Sequence, residues 1–66
     1  MPEVVVYALG GRSQDQKRGL MKDITEAVMK NYGAPAEAVV VTLVETEKGD
    51  KMKGGVLFSE MGAPKK

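Results

Sequence analysis

The chain has 66 residues and a mass of 7.1 kDa, room for one domain over residues 1–66 with a marginal core, since a chain this short buries only about 60% of its unfolded surface. It contains neither cysteine nor histidine, which excludes disulfides, thiolate zinc sites, cysteine nucleophiles and the usual imidazole base. Ten Lys plus Arg against nine Asp plus Glu leave a net charge of +1, too even a balance for a nucleic-acid or membrane-surface protein.

Residues Glu3–Leu9 are β-branched and aromatic, apolar almost throughout, and predict a strand covered on both faces, as in a parallel sheet. Gly10-Gly11 breaks that strand. Ser13 then offers a helix N-cap, Gln16 three residues on completes a capping box, and Asp15 suits the positive end of the helix dipole. Leu20, Ile24, Ala27, Val28 and Tyr32 recur at helical spacing, Met21 and Met29 fit helix packing, and Gly33 is placed to end the helix in the left-handed conformation. Asp23, Glu26 and Lys30 have spacings that fit exposed ion pairs.

After Ala34-Pro35, residues 39–45 predict a second buried strand, which makes a βαβ unit with parallel strands and a right-handed crossover. Residues 46–53 are polar and charged and read as an exposed loop; Glu47 and Asp50 within it, and Glu45 at the end of the strand before it, lie among lysines and read as solvated charges. Gly54-Gly55 followed by Val56-Leu57-Phe58 predicts a short hairpin or edge strand, and residues 61–66 read as a flexible tail. The longest apolar runs, 4–9 and 38–44, fall far short of the roughly 20 residues of a membrane helix. No basic segment with an apolar core opens the chain, so a cytoplasmic protein without a membrane partner is expected.

One helix covers one face of a two-stranded sheet, yet both strands read as apolar on both faces. A second copy of the chain is therefore expected to cover the other face, in a symmetric homo-oligomer. This agrees with the general need of small chains for disulfides, a metal or partner subunits.

Without His or Cys, few groups hold a proton near neutral pH. The α-amino group does, with an ordinary pKa of about 7.7–8.0. Residue 2 is proline, and an initiator methionine is generally removed before a small residue; loss of Met1 leaves a secondary amine at the start of a strand, whose basicity burial and nearby cations lower. By position alone, Pro2 reads as a strand-starting residue whose missing N–H is harmless.

Pro2, a strand, and then Leu9-Gly10-Gly11-Arg12-Ser13-Gln14-Asp15-Gln16-Lys17 leading into a helix resemble the 4-oxalocrotonate tautomerase family. Gly33-Ala34-Pro35, a second strand ending at Glu45, and Gly54-Gly55 follow at the family's spacing, so the resemblance runs over nearly the whole chain. It implies a general base at Pro2 that takes a proton from an enol and returns it to carbon. It also implies an arginine, Arg12, that binds a substrate carboxylate from an adjoining subunit, and a hexamer built as a trimer of dimers. No cofactor, metal or nucleic acid is implied.

Two positions depart from the family's pattern. The second-strand arginine that polarises substrate is replaced by Val40, and the pocket aromatic before the double glycine falls at Lys51. By loop position Lys51 and Lys53 read first as solvated charges; Lys51, or Lys53, is also a candidate second cation for a carboxylate. The function expected is a tautomerase acting on a small 2-hydroxy-alkenoate or related enol acid. The alternatives are a non-catalytic oligomer, anion-binding or purely structural, and, within the family, a hydratase or dehalogenase.

Overall fold

The structure, a computed structural model, describes residues 1–61. Strand β1 (Glu3–Leu9) leads to helix α1 (Gln14–Tyr32), and a short 3-10 turn at Ala36–Ala38 returns the chain to strand β2 (Val40–Thr46). A second 3-10 turn, Lys48–Asp50, precedes a hairpin of β3 (Met52–Lys53) and β4 (Val56–Leu57), and helix α2 (Phe58–Met61) follows. β1 and β2 pair in parallel over their full length, from Glu3 opposite Val40 to Leu9 opposite Thr46. The expected βαβ unit with a C-terminal hairpin is the observed architecture.

The signals that frame α1 are the ones its termini use. Ser13 Oγ accepts the Gln16 N–H at 3.1 Å while Gln16 Oε1 accepts the Ser13 N–H at 3.0 Å, a reciprocal box that satisfies two of the helix's orphan donors. At the other end Gly33 takes φ 69° and donates its N–H to the Met29 carbonyl. Gly54 and Gly55 both have positive φ, 61° and 83°, the combination a two-residue type I′ hairpin turn requires.

The stripe that α1 lays on the sheet is displaced from the expected one. Met21, Ile24, Thr25, Val28 and Met29 are half-buried, whereas Leu20 and Ala27 lie on its exposed flank and Tyr32 is 79% exposed. Nineteen residues make a helix of about 28 Å, while seven residues of strand reach about 23 Å. The last turn therefore overshoots the sheet and leaves Tyr32 with nothing to cover it. Ion pairing also differs from expectation: Asp23, Glu26 and Lys30 make no pair among the described residues, and the two pairs present are Arg18–Asp15 and Lys17–Glu45.

Corrections fall in the C-terminal third. Phe58 opens α2 instead of ending a strand, and the expected loop over 46–53 contains a 3-10 turn and β3. The tail expected over 61–66 begins with Met61, the last residue of α2; its other residues lie outside those described.

Burial alternates along both strands. Val4, Val6 and Ala8 with Val41 and Leu43 face α1 and are half-buried, while Glu3, Val5, Tyr7, Thr42 and Val44 are exposed on the opposite face. That face is apolar along its middle, with Val5 43% and Tyr7 71% exposed. No described residue is fully buried. The radius of gyration is 15.6 Å, against about 11 Å for a compact chain of this length.

Candidate active site

Pro2 stands immediately before β1 and is half-buried, with Met1 87% exposed beyond it. The Pro2 carbonyl accepts the backbone N–H of Val40 at 3.0 Å, which extends the β1–β2 ladder by one bond and holds the proline against the start of β2. Proline loses nothing here, since its missing N–H falls ahead of the ladder.

Arg12 lies at the opposite end of β1. The intervening strand alone spans about 23 Å, so one protomer does not bring Pro2 and Arg12 together. The turn that carries Arg12 is fixed on both sides. Gly10 donates its N–H to the Thr46 carbonyl at 3.0 Å, and Ser13 is held by the capping box. Gly11 between them has φ 117°, a conformation that favours glycine. Arg12 is exposed and lines a cleft of about 240 Å³ with Gln16, Lys17, Leu20, Leu43 and Glu45.

Within that cleft Lys17 Nζ donates to Glu45 Oε1 at 3.1 Å. Glu45 lies on β2, as the predicted strand has it, but it is not simply a solvated charge, because it ties the strand to the first turns of the helix. Neighbouring this cleft is a second one of about 430 Å³, bordered by Gly10, Gly11, Thr46, Glu47 and Lys48. The Thr46 hydroxyl is buried and lacks a hydrogen-bond partner among the described residues.

Lys51 is half-buried, and its ammonium stands 5.8 Å from the centroid of the Phe58 ring, within the range of a cation–π contact. The Phe58 N–H also donates to the Lys51 carbonyl at 2.8 Å. Lys51 is therefore placed by an aromatic partner rather than simply solvated, although it does not line the Arg12 cleft. Lys53 is exposed on β3.

Phe58 is the neighbour of Lys51 that motif reading passed over, and a signal for the contact existed. A two-residue turn at Gly54-Gly55 pairs Lys53 with Val56 and Met52 with Leu57. The next pair outward is Lys51 with the chain's single phenylalanine.

The backbone defines a minimal α/β fold, one parallel βαβ unit extended by a glycine-turned hairpin, with the chemistry-bearing residues divided between the two ends of the sheet. The family model for tautomerase enzymes matches residues 2–61. A probable tautomerase of Bradyrhizobium diazoefficiens is 47% identical, covering 100% of this chain and 98% of that protein. The 2-hydroxymuconate tautomerase of Bacillus subtilis is 41% identical, over 92% of this chain and 98% of that protein. A solved homologue of 4-oxalocrotonate tautomerase superposes with a TM-score of 0.87 at 36% identity, covering 96% of this chain and 100% of that one. The chain belongs to the tautomerase family, and its βαβ-hairpin architecture is that family's fold. Its activity is accordingly of the tautomerase type, an isomerisation.

Proposed function

We propose that this protein is a homo-oligomeric tautomerase that converts a small 2-hydroxy-alkenoate or related enol acid to its keto form. After removal of Met1, the secondary amine of Pro2 takes the proton of the enol hydroxyl. The oxygen's electron pair then closes the carbonyl, the carbon–carbon double bond shifts its electrons to carbon, and the protonated proline returns the proton there. No atom is gained or lost. Arg12 of an adjoining protomer pairs with the substrate carboxylate and so sets the enol against Pro2. Positioned proton transfer of this kind contributes about 10²–10⁴-fold, with charge stabilisation of the developing enolate adding to it.

The observation that carries this reading is the separation of Pro2 from Arg12 at opposite ends of β1 in a chain none of whose described residues is fully buried. A site that needs both groups closes only between copies, and the chain needs copies to complete a core. Exposed Val5 and Tyr7 supply the apolar face such an assembly covers. A hexamer arranged as a trimer of dimers is the assembly the family resemblance implies. The name of the Bacillus subtilis relative, a 2-hydroxymuconate tautomerase, supports a hydroxylated unsaturated acid as substrate class. Lys51, held over Phe58, is a second cation for an anionic substrate. Val40 supplies no charge beside Pro2, so a substrate with one carboxylate suits this site better than a diacid.

The test is intact mass before and after exposure to a small electrophilic keto acid at neutral pH, followed by peptide mapping. Loss of Met1 with a single adduct on Pro2 is expected. A chain that keeps Met1, or a processed chain with no adduct at Pro2, points instead to a non-catalytic oligomer.

A further inference from the structure

The Lys17–Glu45 ion pair has no part in the proton transfer proposed above, yet it occupies the same cleft as Arg12. We propose that Lys17 is a positioning residue for substrate capture: it holds the Glu45 carboxylate away from Arg12, so that the guanidinium stays free for the substrate carboxylate. This rests on the reading of Arg12 as the carboxylate anchor.

Among the residues that line the cleft, Arg12 and Lys17 are the cations and Glu45 is the anion. Glu45 Oε1 is engaged by Lys17 at 3.1 Å. Its other oxygen, Oε2, lies 3.9 Å from where a Cβ on Gly10 would stand, beside the turn that leads to Arg12. Arg12 makes no ion pair among the described residues. The neighbouring Arg18 is occupied outside the cleft, by Asp15 at 3.1 Å.

A compact space of about 240 Å³ is on the order of 8 Å across, one Debye length at physiological salt, so charges on its walls are incompletely screened. The Lys17 and Glu45 side chains are only 23% and 32% exposed, which limits the water that competes for them. A guanidinium prefers a carboxylate partner in bidentate geometry over none. Without Lys17, Glu45 is the one carboxylate lining the cleft that is left to pair with Arg12, and an internal carboxylate competes with the substrate's at high effective concentration. The contact is thus a device for specificity: it neutralises the competitor within the cleft.

The test is steady-state kinetics of the assembled protein with 2-hydroxy-2,4-pentadienoate, on K17M, E45Q, the double variant K17M/E45Q and R12M, each checked for oligomeric state by size-exclusion chromatography. In K17M, KM is expected to rise by about tenfold or more, the size of one charge-assisted hydrogen bond diverted, with kcat changed far less. In K17M/E45Q the competitor is gone, and KM is expected to return to within about twofold of the parent. E45Q alone is expected to leave KM at or below the parent value. Should K17M fail to assemble, E45Q still decides: a raised KM there means that Glu45 assists binding, which overturns the proposal. An unchanged KM in K17M, or a double variant no better than K17M, overturns it equally. R12M separates the two levels, because a KM and kcat unaltered by its loss remove the anchor reading itself, whereas a weakened R12M beside an unaffected K17M removes only the role of Lys17.

Discussion

The Pro2 carbonyl and the Val40 N–H share a hydrogen bond of 3.0 Å. The residue proposed as the base is therefore tied, through its backbone, to the position at which this chain carries an aliphatic side chain in place of the arginine that the family resemblance leads one to expect. The start of β2 is part of the proline's surroundings, and its charge is one determinant of which acids enter. The substitution V40R is expected to raise kcat/KM for a dicarboxylic enol acid relative to a monocarboxylic one by roughly tenfold, the worth of one charged hydrogen bond. The comparison of the two substrates in one preparation checks it; an unchanged ratio would mean that residue 40 does not face the substrate.

Replacement of Pro2 by alanine is expected to lower kcat by about 10²–10³-fold while leaving the assembly intact, because the side chain makes no ladder bond that alanine cannot also accommodate. Ketonisation rates and size-exclusion elution measured on the same sample test both halves. Full activity in P2A would remove the proline from the mechanism.

Lys51 is placed by Phe58, so the two act together. F58A is expected to release the ammonium and weaken substrate binding by about two- to fivefold, in line with a cation–π contact of ~0.5–1 kcal/mol at a partly exposed site. K51M is expected to raise KM by more than this, with steeper loss for a diacid. A double-mutant cycle on KM checks the coupling, and strict additivity would show that the ring does not position the lysine.

Tyr7 is 71% exposed at the centre of the face that α1 leaves open. Y7D places a charge there and is expected to shift the protein toward smaller species, with loss of activity, because burying an unpaired carboxylate against a second copy is unfavourable by several kcal/mol. Analytical ultracentrifugation over a range of concentrations reads this directly. An unaltered oligomer in Y7D would move the interface to another surface.

The capping box gives a stability prediction independent of chemistry. S13A removes the side-chain acceptor for the Gln16 N–H and is expected to lower stability by about 1 kcal/mol per chain. In a domain of this size that corresponds to a fall in Tm of roughly 4–8 °C, measured at fixed protein concentration because assembly contributes to Tm. S13D, which keeps an acceptor at the positive end of the dipole, is expected to restore most of it.

The elements governed by short-range rules were legible residue by residue. The run from Glu3 to Leu9, the box between Ser13 and Gln16 and the left-handed Gly33 all form where their chemistry places them. The second strand lies within one residue of the expected span, at Val40–Thr46. What misled was the charge pattern. At the end of the predicted strand, among lysines, Glu45 reads as a solvated charge, but in the parallel register it falls opposite Ala8 on the helix-facing side, within reach of Lys17. Nothing in the spacing of residues 17 and 45 announces that contact, since it depends on the docking of α1 across the sheet. The Lys51–Phe58 contact was closer to the surface of the text, because the hairpin register alone sets those residues opposite each other.

Local chemistry, then, sufficed for the βαβ order, the caps, the glycine turn and, through the ordered motifs from Pro2 to Gly55, the kinship with tautomerases. Hydrogen bonds between neighbours in sequence and the strand and helix periods act over a few residues, so they can be read one segment at a time. The tertiary structure alone paired Lys17 with Glu45, moved the buried stripe of α1 to Met21, Thr25 and Met29 beside Ile24 and Val28, and left no described residue fully buried. Those outcomes depend on strand length, on parallel register and on how much surface one helix can cover, quantities that exist only once the elements are packed against each other.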